Sequence, residues 1–495
     1  MADYKHGAYG QINAVGSKAA TNSPTAMVYI GTAPVHTVVG GASNVNTPIV
    51  VNNIAEARSK FGYSDDFASY TLCEAMRVHF ESKGVGPLIF INVLDPAKHK
   101  ADKAGSITKK PENGVVTIPE AESIIQDTVV VKSGEVEKKR GTDFSLSYSI
   151  DRKTLTLTEL SHGALGTTDL TITYSTVDPS KVTAEDVIGS TDGMGLNKGV
   201  YALISVYPLT GYTPSFVVAP GFSSIPAVHA AMAANTKKIN KHWDAYMFVD
   251  LPIVTTDGTA VTLDTVKKFK DANGYNRENE TVYFPMAKGT DGKKYHLSVL
   301  AAANFQELLL AQDGIPYRTA SNTSCSAIEN LYLGEAYEDR VYDDAVINEK
   351  LNKNGIASAA YIGGRWAIWG AHSADYDQSN GTDINAAETN RMMLYYISND
   401  FQARRMLDID KPTTPNDIKT IVSEEQARLD ALLNIGALIY GQVSADSSAD
   451  AKSDLLDGDF TFSFNVTTTP LAKSMTAIVS WTDDGFVTYF ADSES

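Results

Sequence analysis

Ala26-Met-Val-Tyr-Ile-Gly-Thr-Ala33 is an unbroken apolar run that follows Pro24. Its length and its turn-rich flanks predict a buried strand. Residues 1–25 before it are rich in Gly, Ala, Ser, Asn and Thr and read as an extended arm. After it come a Gly/Asn-rich loop with Pro48, a helix near Ile54 to Phe61, a longer helix near Tyr70 to Ser82, and the β-rich run Leu88-Ile-Phe-Ile-Asn-Val93. Strand, helices and strand in this order open an α/β domain.

From Pro96 the texture changes to short alternating stretches: Val115-Val-Thr-Ile118, Thr128-Val-Val-Val-Lys132, Phe144-Ser-Leu-Ser-Tyr148, Thr154-Leu-Thr-Leu157 and Leu170-Thr-Ile-Thr-Tyr174. Period-two patterning with polar turns predicts a small β-sandwich. After Gly189 the α/β texture returns with Ala202-Leu-Ile-Ser-Val206, Phe216-Val-Val-Ala219, a helix after Pro226, Ala245-Tyr-Met-Phe-Val249 and Thr281-Val-Tyr-Phe284. The expected fold is therefore a multidomain α/β (α+β) protein. Its central α/β domain is discontinuous, 26–95 and 190–384, with the sandwich 96–189 inserted.

A final α+β unit is expected over 385–495, opening with a helix from Asn385 through Met406. In Thr414-Pro-Asn-Asp417 a hydroxyl N-cap, a proline at the first helical position and an acid at the third announce a second helix. Ile418, Ile421, Val422, Leu429, Leu432, Leu433 and Gly436 give it one apolar face, and it is expected to reach Tyr440. Three alternating strands should follow: Phe460 to Phe464, Met475 to Trp481, and Phe486-Val-Thr-Tyr-Phe490 within a terminal arm 486–495. So apolar a terminal strand needs a sheet to join.

Composition narrows the function. The chain has 495 residues, 43% hydrophobic and 20% charged, enough for several buried cores. Its net charge of -17 argues against nucleic-acid binding, which needs clustered Lys and Arg. Cys73 and Cys325 have no Cys or His at metal-ligand spacing, so buried thiols are expected, with no disulfide and no zinc. Met1-Ala-Asp-Tyr-Lys-His-Gly7 has no basic-then-apolar leader, and no run approaches the ~18 apolar residues of a membrane helix. Synthesis in the cytoplasm is expected, and the sequons at Asn279, Asn322 and Asn465 have no glycosylation context.

Catalysis finds little support. No Gly-x-Ser-x-Gly elbow is present; Ser324, in Asn322-Thr-Ser-Cys-Ser326, is the nearest nucleophile candidate and reads better as a turn residue. His229 and His242 lack the i, i+4 spacing of a helical metal site. Gly193-Met-Gly195 and Gly363-Gly364 are neither a phosphate loop nor a dinucleotide fingerprint and read as turns. Arg365-Trp-Ala-Ile-Trp369 fits core packing better than a ligand cleft. No enzyme activity, cofactor or metal is expected.

In order along the chain, several landmarks resemble the contractile phage tail sheath family, which also includes sheaths of phage-tail-like bacteriocins and injection systems. His6-Gly-Ala-Tyr9 is similar to that family's Pro-Gly-Val-Tyr start, with His6 in place of the proline. Val50-Val-Asn-Asn-Ile-Ala-Glu-Ala57 leading to Phe61-Gly62, the Leu72 to Phe80 helix before Gly84-Val-Gly-Pro-Leu-Ile-Phe-Ile-Asn-Val93, and Gly314-Ile-Pro-Tyr-Arg-Thr-Ala-Ser-Asn322 follow the pattern. So do Arg391 to Ile397 and Leu429-Asp-Ala-Leu-Leu-Asn-Ile-Gly-Ala437.

The resemblance implies a structural homo-oligomer: hexameric rings stacked helically around an inner tail tube, with baseplate and tail terminator proteins at the ends. It implies contraction that drives the tube through a target envelope, in a virion tail or phage-tail-like particle, and no direct nucleic-acid contact or membrane insertion of the chain is expected. It places the carboxy-terminal domain towards the tube and the insertion outward, with terminal arms adding strands to neighbouring subunits. Tyr9, Ile12 and Val15 at one end and Phe486, Val487, Tyr489 and Phe490 at the other are the expected exchange residues. Arg391, Ser398, Gln402 and Arg405 share a polar face if 389–406 is helical, and Arg391 and Arg405 are candidates for gripping an acidic tube. The alternatives are another tail structural protein, such as a terminator, and a serine hydrolase built on a subtilisin-like central domain.

Overall fold

The computed structural model describes residues 25–337, 340–380, 386–445, 458–484 and 486. The chain divides into two compact units that meet between Pro412 and Thr413.

In the first unit, the opening apolar run is strand β1 (Thr25–Gly31). The short β2 (Ile49–Val51), α1 (Ile54–Phe61), α2 (Thr71–Ala75) and β3 (Leu88–Asn92) follow, and α2 runs on in π geometry over Met76–Lys83. Asn53 starts α1 by accepting the Glu56 N–H at 2.9 Å, satisfying a donor that the first turn leaves free.

The chain then leaves this sheet for β4 (Gly105–Lys109), β5 (Val115–Pro119), β6 (Val130–Ser133), β7 (Val136–Lys138), β8 (Phe144–Tyr148), β9 (Thr154–Glu159) and β10 (Leu170–Tyr174). These form two antiparallel sheets, β4-β10-β6-β7 and β5-β9-β8. Inward residues of both, among them Val116, Phe144, Leu155, Leu157, Leu170 and Ile172, make a hydrophobic cluster separate from the main core. Alternation produces this because successive side chains point to opposite faces of a strand.

After α3 (Ala184–Ile188) and α4 (Val206–Thr210) the chain returns to the main sheet through β11 (Thr213–Val218), α5 (Pro226–Asn235), β12 (Tyr246–Asp250), α6 (Val266–Ala272) and β13 (Glu280–Tyr283). A three-stranded antiparallel sheet of β14 (Met286–Gly289), β15 (Lys294–His296) and β16 (Ile328–Tyr332) brackets α7 (Leu297–Ala311). The unit closes with α8 (Asp344–Lys350), the hairpin β17 (Ile356–Ile362) and β18 (Arg365–Trp369), and α9 (Glu388–Arg405). Gly363 and Gly364, at φ of 59° and 79°, make the hairpin turn, a left-handed conformation that favours glycine.

The main sheet has eight strands in the order β18-β17-β13-β12-β11-β1-β3-β2. The six inner strands are parallel, and β2 and β18 pair antiparallel at the two edges. Every residue of β3, β11, β12 and β13 is buried, as expected where a parallel sheet is covered on both faces. The chain winds outward from β1 to β3, then returns to β11 on the other side, so the direction of winding reverses beside β1.

Three segments of the first unit differ from the sequence reading. The run Ala202–Val206 lies in a 3-10 segment, Gly199–Ser205, that leads into α4. The helix α7 escaped the periodicity argument because it is apolar nearly all round, with eleven of its fifteen residues buried. The helix α9, expected to open the final unit, packs on the first: Met392 joins the main core, and the Glu388 carboxylate accepts from the Thr281 hydroxyl at 2.7 Å.

In the second unit, α10 (Pro415–Asn434) begins as expected. Thr414 accepts the Asp417 N–H at 3.3 Å, and the Asp417 carboxylate accepts the Thr414 N–H at 2.7 Å. It stops at Asn434 and does not reach Tyr440. Gly436 takes a φ of 75°, Ala437 N–H bonds back to the Leu432 carbonyl at 2.9 Å and Gly436 N–H to that of Leu433 at 3.0 Å, which together form a left-handed helix stop. The chain turns there into the antiparallel pair β19 (Leu438–Ala445) and β20 (Phe462–Thr468).

Candidate assembly surface

Helix α10 covers one face of β19. Leu429 and Leu432 are buried, and Gln426 reaches the strand twice, donating to the Gly441 carbonyl at 3.1 Å and accepting the Val443 N–H at 3.0 Å. Among the described residues β19 and β20 pair only with each other. A two-stranded ribbon is marginal by itself and gains stability from a further strand.

The chain after β20 runs exposed. Residues 469–482 carry no strand pairing among the described residues, so the strand expected over Met475–Trp481 is not formed within the subunit. Met475 is 89% exposed, Val479 90% and Trp481 81%. With period two, Met475, Ala477, Val479 and Trp481 fall on one face, and Ser474, Thr476, Ser480 and Thr482 on the other. Only Ile478, 90% exposed, breaks the pattern. Exposing such an apolar face to water is unfavourable in a lone subunit.

Of the predicted exchange residues, Phe486 is exposed, whereas Tyr9, Ile12, Val15, Val487, Tyr489 and Phe490 lie outside the described residues. The arginine candidates on α9 are engaged within the chain. Arg391 pairs with Asp375 at 3.2 Å and Glu278 at 3.3 Å, and Arg405 with Asp408 at 3.2 Å. Ser398 and Gln402 bond to each other one turn apart on the same helix.

Ser324 is exposed; its backbone bridges Ala367 and its carbonyl accepts from Asn304 Nδ2 at 3.2 Å, and among the described residues no histidine is bonded to its hydroxyl. His229 is buried against Glu280, 2.6 Å away, and stacks on Tyr275. Trp366 and Trp369 pack on the main core. Asp192 closes the Gly193–Gly195 loop by accepting the N–H groups of Met194 and Leu196 at 2.8 and 3.0 Å. Cys73 and Cys325 are buried free thiols, which burial pushes up to about 12 and about 11. Among the described residues no group of three or more His, Cys, Asp or Glu is placed to hold a metal, and no helix is long and apolar enough to cross a membrane.

Open α/β sheets take ligands where the winding reverses, at the carboxyl ends of the strands. Here that crevice, between the ends of β1 and β11, is filled. Thr71 packs on Thr32, with its N–H donating to the Thr32 hydroxyl at 3.1 Å. A Cβ at Gly221 would lie 3.0 Å from Thr71 Cγ2 and 3.8 Å from His296 Cε1. An opening of about 940 Å³ in the first unit lies between the main α/β body and the 105–174 sheets, walled by Arg58, Tyr63 and Asp66 on one side and Glu122, Asp151 and Lys153 on the other.

No family model matches the chain. It is 30% identical over 261 residues to the tail sheath protein of Burkholderia phage BcepMu, covering 52% of this chain and 50% of the phage protein. The chain thus spans about half the length of that relative. It is 21% identical over 318 residues to the major tail sheath protein of Serratia phage KSP20, covering 64% of this chain and 76% of that protein. Its fold is similar to a chain of the PVC extracellular contractile injection system sheath complex in the contracted state, with a TM-score of 0.55 at 12% identity over 98% of both chains.

Proposed function

We propose, from the kinship of this chain with the phage tail sheath proteins, that it is a structural subunit of a contractile sheath. Hexameric rings stack helically around an inner tube, and their contraction drives the tube through a target envelope. The observation that carries this reading is the exposed amphipathic segment Met475–Trp481 that follows a sheet of only two strands among the described residues. Strand addition between subunits would complete both: the segment gains an edge, and the β19-β20 ribbon gains a third strand. Burying one such side chain stabilises by about 1.5–3 kcal/mol, so Met475, Val479 and Trp481 together supply a useful part of an intersubunit contact.

In this scheme the amino-terminal arm, with Tyr9, Ile12 and Val15, and the carboxy-terminal arm, with Phe486, Val487, Tyr489 and Phe490, link neighbouring subunits. The insertion 96–189 faces outward and the carboxy-terminal domain faces the tube. Baseplate and terminator proteins bound the stack, and the particle assembles from subunits made in a bacterial cytoplasm. The free energy of contraction lies in interfaces that differ between two packings, with no catalytic step. Tube contact by Arg391 and Arg405 requires exchange of their in-chain carboxylate partners for carboxylates of the tube.

The test is electron microscopy of the purified chain. Striated tubes of uniform diameter are expected from the full chain, and folded but unpolymerised subunits after deletion of residues 1–20 or 486–495. Normal tubes from either truncation would overturn the strand-exchange reading, and labelling by a serine-reactive fluorophosphonate would revive the hydrolase.

A further inference from the structure

The filled crevice at the winding reversal contains ionisable groups that the assembly reading does not use. Glu74 on α2 is fully buried and grips one residue with both oxygens, accepting the His296 N–H at 2.6 Å through Oε1 and meeting His296 Nδ1 at 2.6 Å through Oε2. Asp250, the last residue of β12, lies on the other side. Its Oδ1 accepts the Ser298 N–H at 3.0 Å and its Oδ2 the Ser298 hydroxyl at 2.5 Å. His296 and Ser298 flank the start of α7, so two carboxylates from different elements satisfy N–H groups that the first turn of this helix leaves free.

We propose that Glu74, His296 and Asp250 form a charged lock on the amino terminus of α7, a pH-sensitive device that holds the helix while His296 is protonated and loosens when it loses its proton. Carboxylates at a helix amino terminus are favoured by the helix dipole, but two in one buried site repel each other and lack solvent. The His296 imidazolium, held against Glu74 and within the field of Asp250, supplies the missing charge. Burial raises the Asp250 carboxyl above its ordinary range, and a neutral imidazole would leave this buried carboxyl pair without a cation to compensate it.

The remaining titratable neighbours do not compete for this role. Tyr29 of β1 faces both carboxylates, and Tyr275 and Tyr283 face Asp250; burial, with the nearby acids, raises all three phenols above their ordinary range. Burial alone would lower the His296 pKa, but the charge and hydrogen bond of Glu74 and the charge of Asp250 outweigh it and raise it from 6.5 to about 9. A raised histidine stabilises fully below its unfolded value and loses that contribution as pH rises through the folded one. The window is therefore about pH 6.5 to about 9.

Histidine-selective NMR and thermal melts of the full chain, across that window, test the lock. The expected results are one imidazole titrating near pH 9, a melting temperature that falls as pH rises, and a His296→Gln variant that melts lower at neutral pH but no longer shows this fall. If His296→Gln does not fold, Glu74→Gln decides: it keeps an acceptor for the His296 N–H, and the imidazole should then titrate well below its wild-type value. A wild-type His296 titrating at or below 6.5, or an alkaline fall that persists undiminished in the variants, overturns the proposal.

Discussion

Asn399 and Asp244 exchange a reciprocal pair of hydrogen bonds: the Asn399 amide donates to the Asp244 carbonyl at 2.7 Å, and the Asp244 N–H donates to Asn399 Oδ1 at 3.0 Å. One side chain thereby satisfies both backbone groups of the residue that leads into β12. Asn399→Ala leaves that donor and acceptor without their partner, at a cost of about 2 kcal/mol. The midpoint of urea unfolding should fall accordingly, and an unchanged midpoint would show that water replaces the amide.

His36 gives the first unit an acid-sensitive contact. Its Nε2 lies 2.7 Å from the Glu122 carbonyl, tying the main body to the segment between β5 and β6. Burial pushes its imidazole from 6.5 down to about 4, and His79, buried between Tyr29 and Gln306, down to about 3. Both are held neutral in the fold, so the stability they contribute is complete above pH 6.5 and shrinks as pH falls towards 4. For His36 the loss is roughly 3 kcal/mol. Chemical denaturation at neutral and acidic pH should show a smaller acid loss in His36→Gln than in the parent chain.

The start of α10 rests on a local signal. Thr414→Ala removes the acceptor for the Asp417 N–H and should cost about 1 kcal/mol. Hydrogen exchange is the measurement: amides in the first turns of α10 should exchange roughly fivefold faster, a factor set by that energy. Unchanged exchange would mean that packing of Leu429 and Leu432 alone holds the helix.

Ile478→Lys with Val479→Lys places charge on the exposed segment without touching a packed side chain. Stability of the subunit should change by no more than about 0.5 kcal/mol, as for other exposed sites. Sedimentation should nevertheless show loss of the assembled species. Assembly at the parent level would mean that the segment is not an intersubunit strand.

Local rules settle those parts whose physics is local. Thr414, Pro415 and Asp417 mark a helix start because a first turn has free N–H groups that neighbouring residues can meet. The alternation in Phe144–Tyr148 and Thr154–Leu157 marks strands because side chains change face at every residue. Ala26–Ile30 is legible as a buried strand for a related reason, since nothing polar interrupts it. The exposed face of Met475–Trp481 is legible as an apolar stripe.

The sequence by itself determined these elements, the change of texture at residue 96 and the order of landmarks that resembles the tail sheath family. Only the tertiary structure decided that α9 packs with the first unit, that the apolar stretch Leu297–Ala311 is a helix, and that Arg391 is already paired. It also brought together Glu74, Asp250 and His296, which are far apart along the chain. The reason is physical: periodicity reports the face a segment buries, whereas hydrogen bonds and charges between distant segments depend on where the sheet places them. For Met475–Trp481 even the folded subunit leaves the strand incomplete, because the edge that would pair it is not supplied by its own described residues.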